Sequence, residues 1–349
     1  MDLENIKLEE LSLNELEDLQ KSLSVETERL YLSQIALKIA INSVYGAVAS
    51  DKFEYSNSDI GNAITANSRF YIRTMSENIE KFLQAKEKSD TKYIIYNDTD
   101  SAYVRCPSDL RNADDVDNFV NDKVQKVIDF SSQKIESLFN ALNRGSLKAK
   151  REAIFEKSLF VSKKRYALKI IDDEGIRLPE PEIKAHGLDV IKNSTPIFCK
   201  KMLKEGIKII LDKSEIELKK WVQDVETEFR KQPIYNISKF ISVNNLDYKI
   251  GDKGIPINSR GALMMNLYLS QKPSQTQQNI LSGNKANLVY LREPNPFRSN
   301  VILFDDESFM EDFREFVDFD TNFEKFFKIP LSDMCGINDF TIYENLWEF

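Results

Sequence analysis

Two aspartates one residue apart, Asp98 and Asp100, stand in the run Tyr96-Asn97-Asp98-Thr99-Asp100-Ser101, between two short β-branched and aromatic segments, Tyr93–Tyr96 and Ala102–Val104. That pattern predicts a hairpin with both carboxylates at its tip. In extended backbone, residues two apart face the same side, so the pair repels unless something positive lies between its members. A hard divalent cation answers that need, because Mg²⁺ commonly takes one or two carboxylates together with substrate phosphates. An ordinary Asp-rich surface turn is the competing reading.

A second set of residues follows helical spacing. Lys38, Asn42 and Tyr45, just ahead of Gly46, fall at intervals of four and three and share one helix face. A lysine there can grip a polyphosphate while the amide and ring meet a sugar and a base; a helix end stopped by Gly46 is the plainer alternative. The third set is Lys163-Lys164-Arg165-Tyr166, entering a strand. Alternation would put Lys164 and Tyr166 on one face and Lys163 and Arg165 on the other, which suits gripping a nucleic-acid backbone. A solvated basic turn is the alternative.

Composition narrows the chemistry further. With 349 residues, 42% hydrophobic, the chain can bury a sizeable core and should form two or three domains. A single histidine, His186, argues against His-based triads, zinc sites and haem ligation, which leaves carboxylates, lysines, hydroxyls and a hard cation. Three widely spaced cysteines (Cys106, Cys199, Cys335) give neither a disulfide framework nor a metal-ligand pair and suit a reducing cytoplasm. No apolar run is expected to approach the roughly 18 to 20 residues of a membrane span, so no membrane association is expected. Although the net charge is −8, charge is unevenly spread. Met1 to Leu30 holds nine acids against three bases, Arg144 to Lys204 fifteen bases against eight acids, and Val301 to Phe349 thirteen acids against three bases. A polyanion would sit on the basic middle.

The elements that must position these groups are legible as periodicities. Residues 9–50 and 60–83 read as amphipathic helices, the first stopped by Gly46, and residues 114–143 as a third. Ile154–Phe160, Tyr166–Ile171 and Ile183–Leu188 read as strands bounded by the turn clusters Asp172-Asp173-Glu174-Gly175 and Pro179-Glu180-Pro181. Residues 195–230 and 256–275 are helical again, 288–304 strand-like, and the rest helix and tail. The fold class is α+β.

Taken in order, Lys38…Asn42-Ser43-x-Tyr45-Gly46, Asp98-Thr99-Asp100-Ser101 and Lys163-Lys164-Arg165-Tyr166 resemble the motifs of the family B (polymerase alpha-like) DNA polymerases, above all the T-even phage branch. Asn62-Ala63-Ile64-Thr65, Arg151-Glu152-Ala153-Ile154, Asn193-Ser194-Thr195-Pro196, Arg260-Gly261 and Leu291-Arg292-Glu293-x-Asn295-Pro296-Phe297 extend the likeness over about residues 30–349. The resemblance implies a fingers helix (1–50), a partial palm with an antiparallel sheet and helices (51–192), a mainly helical thumb (193–340) and a clamp-binding tail (341–349). It implies Asp98 and Asp100 as catalytic, metal-holding carboxylates, Asp100 in the more direct contact. Lys38, Asn42 and Tyr45 would line the incoming dNTP, and Lys163, Lys164, Arg165 and Tyr166 would hold primer-template DNA. Glu152 would lie in the vicinity of the metal, although Lys150 stands where the branch carries an aspartate. Leu346, Trp347 and Phe349 would dock on a sliding clamp. The implied cofactor is a pair of Mg²⁺ ions, with Mn²⁺ as an alternative, and the implied setting is the cytoplasm of a phage-infected bacterium.

The family's further palm aspartate, on a strand of pattern Asp-x-x-Ser-Leu-Tyr-Pro-Ser, has no counterpart here, nor has the Asp-x-Glu strand of its exonuclease. Asp305 and Asp306, after the apolar run Val301–Phe304, read as a solvated strand end rather than a replacement. The expectation is therefore the C-terminal part of a split polymerase, completed by an N-terminal chain that carries the exonuclease and the missing palm strand. The alternative is a non-catalytic palm-thumb protein that binds DNA and tethers the clamp.

Overall fold

In the computed structural model, which describes residues 11–141, 144–274, 276–337 and 339–340, the chain forms two compact units, Met1–Arg111 with Asp115–Lys150, and Asn112–Asp114 with Arg151–Phe349. The first begins with α1 (Leu13–Ala49), opened by a capping box in which Ser12 and Glu15 satisfy each other's backbone N–H groups. Gly46 does not end this helix. It sits within the last turn with open space around it, a tolerated interior glycine, and the chain leaves the helix at Ser50. The α1 helix buries none of its side chains, and by length and composition it could cross a membrane. That corrects the expectation that no segment approaches such a span.

Asn57 caps α2 (Ser58–Glu87) by accepting the N–H groups of Asp59 and Ile60. Gly61 lets α2 approach the end of α1, since a Cβ there would stand 3.2 Å from that of Ala49. On α2, Ile72, Met75, Ile79 and Leu83 recur at three and four and make one buried stripe. The stripe packs on Tyr93 and Ile94 of a hairpin, β1 (Ile94–Asp98) with β2 (Ser101–Val104), and on Val124 and Ile128. Those last two lie where α3 (Ala113–Phe119) runs through a π-helical turn into α4 (Gln125–Leu138), the helical stretch expected at 114–143.

In the second unit, β3 (Ala153–Ser162), β4 (Arg165–Asp173) and β5 (Ile176–His186) form an antiparallel meander. Its second turn has positive φ at both central residues, Glu174 (52°) and Gly175 (93°), as a two-residue hairpin loop requires. The cluster Pro179-Glu180-Pro181, expected as a turn, lies inside β5. The reason is topological: β5 is an edge strand, and its register jumps from Arg177 to Glu182, so the prolines owe no N–H to the ladder.

The helical stretch expected at 195–230 is two helices, α5 (Ile197–Asp212) and α6 (Glu215–Phe229), parted where Ser214 and Glu217 form a second capping box. After α7 (Ile234–Ile237), a second sheet runs β6-β7-β8 (Lys239–Ser242, Lys285–Tyr290, Val301–Phe304), covered by α8 (Ile257–Gln271). Gly261 allows α8 to lie against β8, where a Cβ would press on Leu303 and the Ile302 carbonyl carbon. Short helices α9 (Glu307–Glu311), α10 (Phe319–Phe323) and α11 (Ile329–Cys335) close the core around Phe229, Phe304, Phe323 and Phe327, all fully buried. The architecture is α+β with antiparallel sheets, as the periodicities indicated.

Candidate active site

At the tip of the β1–β2 hairpin Asp98 pairs with Ser101, and Thr99 and Asp100 form the turn. Thr99 adopts φ +53°, a conformation uncommon for a β-branched residue. The Asp100 N–H donates to the Asp98 carbonyl at 2.6 Å, and the Ser101 hydroxyl donates to the same oxygen at 3.1 Å. The Thr99 hydroxyl donates to the Asp98 carboxylate, also at 3.1 Å. Strand alternation therefore stops at Asp98 and does not set the relation of the two carboxylates. Both stand at the tip because the turn is tight: Asp98 half-buried, Asp100 exposed.

Two carboxylates on one tight turn suit Mg²⁺ when phosphate and further oxygen ligands complete its shell. Among the described residues no group of three or more His, Cys, Asp or Glu is placed to hold a metal ion by itself.

Lys38, Asn42 and Tyr45 lie at helical spacing on α1, all exposed, and no described residue gives any of the three side chains a partner. They are free to meet a ligand.

Lys163 and Lys164 occupy the β3–β4 turn rather than a strand, because Ser162 already pairs with Arg165. Only Arg165 and Tyr166 belong to β4, so the expected two-faced strand of four is a basic tip on an aromatic base. Lys164 adopts φ +61°, and Gly187 lies beneath it: any Cβ at 187 would overlap the Lys164 carbonyl oxygen. Phe160, Tyr166 and His186 stand opposite one another on the three strands, with ring centroids 5.6 and 4.8 Å apart. Tyr166 is buried in that stack, and Arg165 reaches Asp333 at 3.4 Å. His186 is a stacking partner in that row.

Glu152 is exposed just before β3, and its carbonyl accepts the Glu174 N–H at 2.6 Å. Its neighbour Arg151 turns to Asp172, a buried aspartate that lies on β4 rather than in the turn expected from residue 172 onward. Arg177 also pairs with Asp172 and reaches Asp114 at 2.8 Å. Burial alone would raise the Asp172 pKa, but the Arg151 hydrogen bond, the Gly175 N–H and the two guanidinium charges outweigh it and hold the carboxyl below the usual range. A charged residue in the apolar alternation Leu168, Ile170, Asp172 was the available signal. Asp306 caps α9, accepting the Phe309 N–H at 2.6 Å, and is an ordinary helix cap. Leu346, Trp347 and Phe349 lie outside the described residues.

Residues 15–289 match the model of DNA polymerase family B, so α1 from its third residue onward lies inside the matched segment. The DNA-directed DNA polymerase of Enterobacteria phage T4 is 30% identical across 95% of this chain and 40% of its own length. That of Escherichia phage RB69 is 29% identical across 93% of this chain and 39% of its own. The chain spans about two fifths of the length of these relatives. Among solved structures, the family B DNA polymerase of Pyrobaculum calidifontis shares the fold, with a TM-score of 0.54 at 17% identity over 93% of this chain and 37% of that one.

Proposed function

The chain belongs to DNA polymerase family B, and from that premise we propose that it supplies part of the active site for template-directed DNA synthesis, transferring a nucleotide from dNTP to a primer 3′-hydroxyl. The observation that carries this reading is the tight Asp98–Asp100 tip, two carboxylates at one turn inside a segment matched to the family. Asp98 and Asp100 would hold Mg²⁺, or Mn²⁺, together with the nucleotide's phosphates. A divalent ion held there would supply activation of the hydroxyl and neutralisation of charge on the leaving pyrophosphate.

The chain's own residues position and screen, as phosphoryl transfer requires. Lys38 grips the triphosphate, while Asn42 and Tyr45 meet the sugar and base of the incoming nucleotide. Lys163 and Lys164 reach DNA phosphates from the β3–β4 tip, Arg165 supports them, and Tyr166 anchors the tip through its ring stack. Glu152 is proposed near the metal without being a required ligand. In this reading residues 1–50 belong to the fingers, 51–192 to the palm and 193–340 to the thumb, and 341–349 bind a sliding clamp in the host cytoplasm.

In this reading a second polypeptide brings the exonuclease and the remaining palm strand, because the family's further palm aspartate has no counterpart in these 349 residues. Replacing Asp100 with Ala tests the enzyme reading. Primer extension should be lost by on the order of 10³-fold with duplex binding retained. Unchanged function would favour the DNA-binding, clamp-tethering alternative.

A further inference from the structure

Ser76, Glu80 and Gln84 are spaced by four on α2 and form one stripe of that helix. Each ends on the segment that carries the Asp98 hairpin. Gln84 Nε2 donates to the Thr91 carbonyl at 3.3 Å and to Glu80 Oε1 at 3.1 Å. The Glu80 carboxylate accepts the N–H groups of Tyr93 at 3.0 Å and Ile94 at 2.6 Å, where β1 opens. Ser76 Oγ, on a buried residue, donates to Asn97 Oδ1 at 3.0 Å, immediately before Asp98. One helix thus holds β1 from its foot to its tip.

The hairpin needs this support more than most. Its turn keeps Thr99 at positive φ, and such conformations persist only where the surroundings over-determine them. The sheet has two strands, and its ladder shifts register between Ile94 and Tyr96, so pairing with β2 fixes the position of the tip only weakly. A slip of one residue would turn every β1 side chain to the other face.

We propose that Ser76 and Glu80 are positioning residues of the active site, acting through Asn97 and the Tyr93–Ile94 backbone to hold Asp98 and Asp100 where the metal and the nucleotide meet them. The proposal rests on the polymerase reading of the hairpin. Neither residue touches the reacting atoms. Their effect is on aim, and a misplacement of about 1 Å can cost on the order of a hundredfold in rate.

The test is single-turnover primer extension by the full chain together with a chain bearing the complementary palm strand, with Asp100→Ala as the reference. Ser76→Ala should lower the maximal rate at least about tenfold and raise the half-saturating Mg²⁺ concentration, with nucleotide KM and duplex affinity within about twofold. Ser76→Thr, which restores the hydroxyl, should recover most of the rate. Glu80→Gln, which keeps an acceptor for one N–H, should lose less than Glu80→Ala. Wild-type rate and Mg²⁺ dependence for both Ser76→Ala and Glu80→Ala, where Asp100→Ala is inactive, overturn the proposal while leaving the polymerase reading intact. Full synthesis by Asp100→Ala overturns the polymerase reading and this inference with it.

Discussion

The two units of this chain bury themselves to very different degrees. In the second, four phenylalanines are fully enclosed, β8 is buried along its whole length, and helices and sheet share one core. In the first, the 37 residues of α1 bury nothing, and Leu37, Ile39, Ile41 and Val44 are exposed on it. The hairpin that carries the two aspartates belongs to a sheet of only two strands, and the core beneath it is one stripe of α2 against β1 and a few residues near α4. The unit with the basic tip has the larger core, whereas the unit with the carboxylates leaves a long apolar helix surface of the kind that proteins normally cover. Among the described residues, the unit with the Asp98–Asp100 tip is also the one whose long helix leaves its apolar side chains uncovered.

Paired truncations sharpen this contrast most. Phe304→Ala in the second unit should cost about 3–5 kcal/mol of stability, as large-to-small core changes do. Ile41→Ala on α1 should stay within about 0.5 kcal/mol for the chain alone. Denaturant unfolding checks both, and comparable losses would break the comparison.

Next in size is Asp172→Ala. Removing the acid strands Arg151 and Arg177 and should cost about 2–3 kcal/mol, less than a fully buried pair because Arg177 is partly solvated. The same group sets a pH dependence. Its folded pKa lies below the ordinary value, so its contribution is complete above about pH 4 and is lost as pH falls through the folded value. An acid titration of the second unit's melting temperature should show that loss, and Asp172→Ala should flatten it.

Lys38→Ala should raise nucleotide KM about tenfold, or about 1.4 kcal/mol, without moving either unit's melting temperature, because Lys38 has no partner among the described residues. The smallest effect belongs to Lys163→Ala, which should reduce the slope of log affinity against log salt for duplex DNA by about 1.

Much of this architecture is legible in the sequence, and the exceptions share physical causes. The stripe on α2 and the apolar β8 appear as plain periodicities because burial imposes them. The break between α5 and α6 needed the Ser214 capping box to be weighed against a helical period that runs straight through it. Pro179 and Pro181 looked like a turn because only topology reveals that β5 is an edge. At the candidate site, residue type singles out Asp98, Asp100 and the basic tip but does not give their geometry. Alternation was carried through Thr99-Asp100 and Lys163-Lys164, where the chain turns instead. Ser76, Glu80 and Asp172 carry no motif, and they matter through what they touch.

The central claim is that this chain holds part of a polymerase active site and that a second chain completes it. Primer extension with purified chain, Mg²⁺ and four nucleotides, with and without a polypeptide bearing the exonuclease and the missing palm strand, tests that most directly. Synthesis only in the presence of the partner is the predicted result. Robust synthesis by the chain alone would contradict it, because a third carboxylate would then have to lie within these 349 residues.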